Sequence, residues 1–463
     1  MKPKKSKILV LLLALLTCFT LTACNFSGSS VLDIATQNGL DSTKSETTET
    51  QPTATNVTEY NTTVNRETTE INLYDTYLDL KAHENYTGTF ADFLKEYLNG
   101  DNSVSTDIEY ATNKGLLSAV SVYASYTSYF FPYSKYTSSG AGVFYSINKM
   151  TGDALIITNY HVVYDADCNT QDGISSEIVC YTYGQMQGIS TPLTCTYLGG
   201  SSEYDIAVLK VSASEQLKND DSMAITFADS NNIIVGEQII AIGNPEASGI
   251  SATTGIICVD SEHIVAQSSN NTDTSSHRVM RIDAAVNSGN SGGGVFNSAG
   301  ELVGIANAKL VDNTVDNIAY AIPSNIVKYI AEAIMRQCNG TSVRTIKRAL
   351  LGVEVKIVES SSYYDGQKTE IINTIIVSNT TAGGLADGVL TINSVVNKVV
   401  ITDNSNIYNP ITTEYNISRL FHIEALLQLK VGDTVTFYTS DADDNPLEPK
   451  TITITSACMV DVK

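Results

Sequence analysis

From Leu116 onward the chain is a succession of short β-branched and aromatic runs broken by Gly, Asn, Asp and Ser, and this texture restricts its folding more than any other feature. The runs Ala119 to Tyr123, Gly142 to Ile147, Ala154 to Thr158, Ile206 to Val211, Ile233 to Ile242, Gly255 to Val259 and Leu302 to Ala306 all predict strands. So many strands at close spacing point to a sandwich or barrel, not to alternating α/β units. Between Ser324 and Cys338, Ile326, Ile330 and Ile334 fall on one helical face, which predicts a helix closing this domain, residues 111–340. A second, smaller β-rich domain is expected over 349–463. No internal repeat is visible.

The first residues read as an address. Lys2, Lys4, Lys5 and Lys7 precede the apolar run Ile8 to Leu16, and the segment ends Leu21-Thr22-Ala23-Cys24. A charged head, a short apolar middle and small residues at the exit are the layout of an export signal, and the run is too short to span a bilayer. Its last four residues resemble the lipobox of bacterial lipoproteins. That resemblance implies removal of residues 1–23, lipidation of Cys24 and tethering at the outer face of the cytoplasmic membrane. Residues 24–72 are rich in Ser, Thr, Asn and Glu and cannot bury enough surface to offset chain entropy, so a solvated tether is expected. Residues 73–110 form an extension with one short helix, capped by Thr89, carrying Phe90, Phe93, Leu94, Tyr97 and Leu98 on one face and ended by Gly100.

Of the five histidines, only His161 has a setting that suggests catalysis. It follows the apolar strand Ala154-Leu155-Ile156-Ile157, where a base is held rigidly and still reaches a cleft. Asp205 stands at the head of the apolar run Ile206-Ala207-Val208-Leu209, placed to accept an imidazole N–H and so fix its tautomer. Ser291 lies in Gly289-Asn290-Ser291-Gly292-Gly293, where glycines let the backbone turn its N–H groups toward one point while the hydroxyl stays exposed. Each signal alone is weak; a capped turn, a packed histidine or a plain loop would explain any one of them. The order His, Asp, Ser inside one β-rich segment is much more specific.

With these motifs the chain resembles the HtrA/Deg serine proteases, chymotrypsin-fold enzymes followed by a PDZ domain. The resemblance extends to Val235-Gly236-Glu237, Ala241-Ile242-Gly243-Asn244-Pro245, Thr254-Gly255-Ile256-Ile257, Asp283-Ala284-Ala285-Val286-Asn287 and Ala319-Tyr320-Ala321-Ile322-Pro323. It implies a mainly β fold, a chymotrypsin-like double β-barrel of two six-stranded barrels followed by a PDZ-like α+β domain. It also implies Ser291 as nucleophile, His161 as general base and acid, Asp205 as orienting carboxylate, and an oxyanion hole from Gly289 and Ser291 with Asn290 as a third candidate. Ala285, six residues before the nucleophile, and Ala321 fall at the specificity pocket. An uncharged Ala285 argues against cleavage after Lys or Arg and favours small or medium aliphatic side chains. Asp283 is expected to point away from that pocket. The family usually has Pro where this chain has Ser288 and Gly294, so a looser nucleophile loop and low basal activity awaiting an activator are expected.

Leu351-Gly352-Val353 resembles the turn with which PDZ domains hold a terminal carboxylate, and residues 382–390 resemble the helix and turn of such a domain. The implied partners are unfolded or exported polypeptides, C-terminal peptides at the PDZ-like domain, the membrane through a lipid anchor, and two further copies in a homotrimer. The expected function is a serine endopeptidase for envelope protein quality control. Two alternatives stand beside it: a peptide-binding or chaperone-like surface lipoprotein with an idle protease domain, and a dedicated processing protease.

Composition narrows the partners further. The 463 residues carry 28 Lys and Arg against 50 Asp and Glu, a net charge of −22, which opposes the positive field that holds phosphate backbones and excludes nucleic acid. The acid is densest over residues 25–110, with 4 basic and 15 acidic residues, as expected for a stalk repelled by an anionic surface. Cys168, Cys180, Cys195, Cys258, Cys338 and Cys458 would remain after lipidation of Cys24. None has metal-ligand spacing, so neither a metal nor another cofactor is expected, and disulfides and buried free thiols both stay open.

Overall fold

Strands β1 (Ala119–Thr127), β2 (Lys135–Asn148), β3 (Asp153–Thr158), β4 (Glu177–Thr182), β5 (Leu193–Ser201) and β6 (Ile206–Val211) close into a barrel in the order β1-β2-β3-β6-β5-β4. Strands β7 (Gln238–Gly243), β8 (Ser251–Gln267), β9 (Thr274–Ile282), β10 (Gly294–Asn297), β11 (Leu302–Asn307) and β12 (Ala319–Pro323) close a second, ordered β10-β11-β12-β9-β8-β7. The mainly β double barrel expected from the sequence is therefore present. This computed structural model describes residues 77, 78, 80–82, 86–89, 93 and 107–462, the latter apart from 129–133, 169, 171, 268–273, 309–317, 339–341, 344, 367 and 407. The expected signal segment, Cys24 and the tether lie outside the described residues.

The physical basis of the barrels shows in β6. Ala207, Leu209 and Val211 point into the first barrel, while Ile206 and Val208 join a separate core that also takes Ile240, Ile242, Phe296, Leu302 and Ile305 from the second. A strand alternates its side chains between two faces, and here both faces are covered. That is why the run reads as nearly unbroken apolar sequence with only Lys210 exposed. Burial of each such Ile or Leu contributes roughly 1.5–3 kcal/mol.

Around the barrels the described helices are few and short: α1 (Asp107–Ser118) leads into β1; α2 (Tyr160–Val163) is a single turn after β3; α3 (Glu215–Asn219) follows β6, its start capped by the Ser214 hydroxyl accepting the Leu217 N–H at 3.3 Å. The amphipathic stretch forms α4 (Ser324–Gln337), and its Ile326, Val327, Ile330 and Ile334 enter the core shared by the two barrels. One strand is shorter than its apolar run suggests. Residues 233–237 are turn, because Gly236 adopts φ 91° and the Glu237 N–H bonds back to the Ile234 carbonyl at 3.0 Å.

The C-terminal region holds β13 (Ile346–Ala349), β14 (Val353–Tyr364), β15 (Thr369–Thr380), β16 (Val395–Asp403), β17 (Ile411–Asn416), β18 (Thr434–Ser440), β19 (Lys450–Thr453) and β20 (Met459–Val462). One sheet runs β14-β15-β16-β18-β19 with β17 on β16, and β13 pairs β20. Residues 382–390, expected as helix and turn, are turns only, since Gly383 and Gly388 take φ 77° and 68° in the left-handed region that ends helices. The longer of the two 3₁₀ segments described in this region, the other being Ser456–Cys458, is instead Leu420–Gln428. It meets the second barrel through Glu424, 3.5 Å from the fully buried Arg278, and through the Phe421 ring 4.2 Å beneath that guanidinium. Arg419 adds a two-pronged bond to Asp260 at 2.9 and 3.1 Å.

The described residues before Gly100 belong to a unit of their own. Within it the rings of Tyr77, Tyr86 and Phe93 meet at centroid distances of 5.9–6.4 Å, and the Phe93 N–H bonds the Thr89 carbonyl at 3.0 Å. Of the helix expected from Thr89, the remaining named residues lie outside the described ones.

Candidate functional site

His161 is placed by its neighbours. Tyr160, Val162 and Val163 are buried, so the one-turn helix α2 is pinned on three sides and the His161 side chain, one-fifth exposed, faces outward. The turn is also tied to the segment before β6: the Tyr160 N–H and the Asn159 side-chain amide both donate to the Asp205 carbonyl, at 3.2 and 2.8 Å. Asp205 itself has φ 54°, a left-handed conformation that Asp tolerates better than most residues.

The Asp205 carboxylate is buried and accepts three hydrogen bonds. Oδ1 takes the main-chain N–H of His161 at 3.0 Å; Oδ2 takes His161 Nδ1–H at 2.7 Å and Asn307 Nδ2 at 2.8 Å. A carboxylate at Nδ1 requires the ring proton there, which leaves a lone pair on Nε2. The ring can therefore act as a base on its outward nitrogen.

Ser291 sits in the loop between β9 and β10. A side chain at Gly289 would put its Cβ 2.2 Å from the Asn244 carbonyl oxygen; at Gly292 it would lie 2.2 Å from the Ala141 carbonyl oxygen and 2.4 Å from Thr158 Oγ1. Both glycines have positive φ, 94° and 85°, so here the glycine pattern is required twice over, by conformation and by space. The Ser291 carbonyl accepts the Ala141 N–H at 2.8 Å, tying the loop to β2 of the first barrel. Its hydroxyl accepts the Ala308 N–H at 3.2 Å, leaving its own hydrogen available to donate.

The loop also orients its peptide groups. The Ser288 carbonyl accepts the Glu246 N–H at 2.8 Å, so across a trans peptide the Gly289 N–H is directed away from Glu246. The Asn290 N–H donates to the Asn287 carbonyl at 3.0 Å and is consumed in the turn. Asn290 is thus corrected as an oxyanion donor. Among the described residues, the N–H groups of Gly289 and Ser291 have no main-chain acceptor.

Sequence reasoning missed one residue. Asn307 ends the apolar run Leu302–Asn307, is fully buried, and holds Asp205; its neighbour Ala308 holds the Ser291 hydroxyl. Two consecutive residues of the second barrel thereby engage both the carboxylate and the hydroxyl. A polar residue closing an otherwise apolar buried strand was the available signal.

Ala285 is exposed between the buried Ala284 and Val286, and its carbonyl accepts Thr253 Oγ1 at 3.1 Å and Asn290 Nδ2 at 3.4 Å. Ala321 is buried in the same core as those two neighbours. Asp283 is committed to the barrel, accepting the Ile256 N–H at 2.6 Å. Leu351 is buried, Gly352 has φ 72°, and Val353 begins the edge strand β14. Among the described residues, no three His, Cys, Asp or Glu side chains converge to hold a metal ion.

An oriented imidazole, a buried carboxylate and a glycine-framed serine follow one another in this chain order on two six-stranded barrels. Residues 140–305 match the trypsin-like peptidase domain. This peptidase domain contains His161, Asp205 and Ser291. Over 232 residues the chain is 34% identical to the serine protease Do-like HtrA of Bacillus subtilis (strain 168), covering 50% of this chain and 46% of that protein. Over 246 residues it is 32% identical to the serine protease Do-like HtrA of Lactococcus lactis subsp. cremoris (strain MG1363), covering 52% and 54%. The chain thus spans about half the length of these relatives. A solved structure, the HtrA-type protease AlgW with decapeptide, aligns at 20% identity and a TM-score of 0.44, covering 74% of this chain and 97% of that one.

Proposed function

We propose that this chain is a serine endopeptidase of the HtrA kind acting on unfolded or exported polypeptides outside the cytoplasmic membrane. One observation carries the reading: the 2.7 Å bond between His161 Nδ1 and the buried Asp205, with Ser291 held nearby in chain contact through the Asn307-Ala308 pair. Names of the relatives support the protease class, and periplasmic DegP-like relatives support the location.

In the proposed mechanism His161 Nε2 takes the Ser291 hydroxyl proton as Oγ attacks a peptide carbonyl carbon. For this the hydroxyl swings from Ala308 toward the ring, a change consistent with catalytic hydrogen bonds tightening only in the substrate complex. The oxyanion receives the N–H groups of Gly289 and Ser291; losing one such donor costs about 3 kcal/mol of barrier. Protonated His161 then passes its proton to the leaving amine, and water repeats the sequence on the acyl-enzyme. Asp205 stabilises the imidazolium and stays ionised throughout.

Around this centre, Ala285 and Ala321 favour small or medium aliphatic side chains at the cleaved residue. The Leu351-Gly352-Val353 turn and the open edge of β14 receive a C-terminal peptide as an added strand, in a PDZ-like domain. Lipidated Cys24 anchors the chain, and the working form is a homotrimer. Cleavage of casein by the wild-type chain, lost in Ser291→Ala, is the expected result. Absence of cleavage by a folded wild type that still binds C-terminal peptides would place the chain with peptide-binding proteins instead.

A further inference from the structure

Strands β4 and β5 form the shortest seam of the first barrel. They share three registered pairs, Ile178 with Cys195, Val179 with Thr194 and Cys180 with Leu193, whereas β1 and β2 run together over all nine residues of β1. Cys180 and Cys195 occupy opposite corners of this seam. Both point into the barrel interior and are buried. Residues on a diagonal of an antiparallel pair usually lie near the far limit for a disulfide, but strand twist draws one diagonal together. Here both thiols are free, with Cys195 Sγ donating to Cys180 Sγ at 3.3 Å, and a bonded pair at ~2.05 Å needs the sulfurs to close by only about 1.2 Å.

We propose that Cys180 and Cys195 form a disulfide that staples β4 to β5. Three other cysteines are placed differently: Cys168 Sγ lies 2.8 Å from Thr170 Oγ1, Cys458 Sγ lies 3.1 Å from the Thr455 carbonyl oxygen, and Cys258 Sγ lies 3.9 Å from the Ile256 carbonyl oxygen. The staple acts where it matters for the site, because β5 runs directly into the turn that carries Asp205. It would hold the least-paired seam of the barrel while that turn keeps its left-handed Asp205.

The chemistry is thiol–disulfide exchange with a small-molecule disulfide as oxidant. One cysteine thiolate attacks the oxidant, forming a mixed disulfide and releasing one thiolate. The second cysteine thiolate then attacks the protein sulfur and releases the other. The protein loses two protons and two electrons, and the oxidant becomes two thiols. The hydrogen bond with Cys195, and after it burial, push the Cys180 thiol up, which disfavours the attacking thiolate in the closed barrel. Oxidation therefore belongs to folding, before the barrel shuts.

The test uses the full chain, refolded from denaturant in a buffer of oxidised and reduced glutathione, then alkylated under denaturing, non-reducing conditions and digested. The expected product is a linked peptide pair containing Cys180 and Cys195, lighter than the two free peptides by two hydrogens. Reduction should lower the melting temperature by about 6–12 °C in the wild type and leave a Cys180→Ala/Cys195→Val double variant unmoved. Full alkylation of both cysteines after oxidative refolding, or pairing of either with Cys168, would overturn the proposal. The peptide map needs no variant, so a misfolding substitution cannot obscure the result, and it is independent of whether the chain proves to be a protease.

Discussion

Replacing Asp205 by Asn tests the wiring of the proposed triad without changing its shape. The carboxylate accepts at both oxygens, from the His161 main chain through Oδ1 and from His161 Nδ1 and Asn307 through Oδ2. An amide accepts at only one of those positions. If its oxygen keeps the His161 main-chain N–H, its NH₂ faces two groups that are themselves donors. The ring must then give up its Nδ1 proton, place it on Nε2 and lose the lone pair that takes the Ser291 proton in the proposed mechanism. A ring in the wrong tautomer typically lowers kcat about 10⁴-fold, or ~5.4 kcal/mol of barrier. The assay is steady-state hydrolysis of casein by Asp205→Asn and wild type, with thermal melts to show that both are folded. A folded variant within about tenfold of wild-type kcat would refute the reasoning, because such a loss is too small for a tautomer switch.

Three further outcomes are expected. Asn307→Ala removes one hydrogen bond to an ionised carboxylate, worth roughly 1.5–3 kcal/mol, and should lower kcat about 10- to 100-fold with KM little changed; an unchanged kcat would limit Asn307 to a packing role. Gly292→Ala forces an L side chain to φ 85° and against two fixed oxygens of the first barrel, so it should cost at least about 2 kcal/mol and several degrees in the melt; a neutral result would show that the loop can move away from β2. Glu424 bears on pH. Burial raises its carboxyl from 4.5 to about 7, with the Arg278 charge opposing the rise. Between these values the folded chain keeps a proton that the unfolded chain releases, so stability falls as pH climbs from about 4.5 to 7, by ~3 kcal/mol in total. Glu424→Gln should lack this component, and equal melting-temperature trends for the two proteins from pH 5 to 7.5 would contradict the shift.

How far the sequence could be read depended on whether local pattern or long-range contact decides a residue's place. Strand β6 was legible because both its faces are buried, which leaves a continuous apolar run, and α4 because its isoleucines repeat at helical spacing and all enter one core. Residues 233–237 looked like strand for the same apolar reason, but Gly236 turns the chain before β7 begins. In the C-terminal region, Gly383 and Gly388 broke an expected helix, and the longer helical segment came from residues 420–428. The proposed triad His161, Asp205 and Ser291 was read from its flanking motifs, and the fold brings the first two into contact. Asn307 was not, because its partner Asp205 lies 102 residues away and only the barrels bring the two together. The Asn290 N–H was misassigned for a similar reason: the turn that consumes it is set by the loop's closure on Asn287, which no motif reports.

The proposed activity rests on the reactivity of one hydroxyl, that of Ser291. Incubating the full chain with a fluorophosphonate probe and mapping the adduct by peptide mass spectrometry should place the label on Ser291 alone, with labelling abolished in Ser291→Ala and strongly slowed in His161→Ala. A folded wild-type chain that stays unlabelled, or carries its label on another residue, would contradict the assignment of Ser291 as an activated nucleophile.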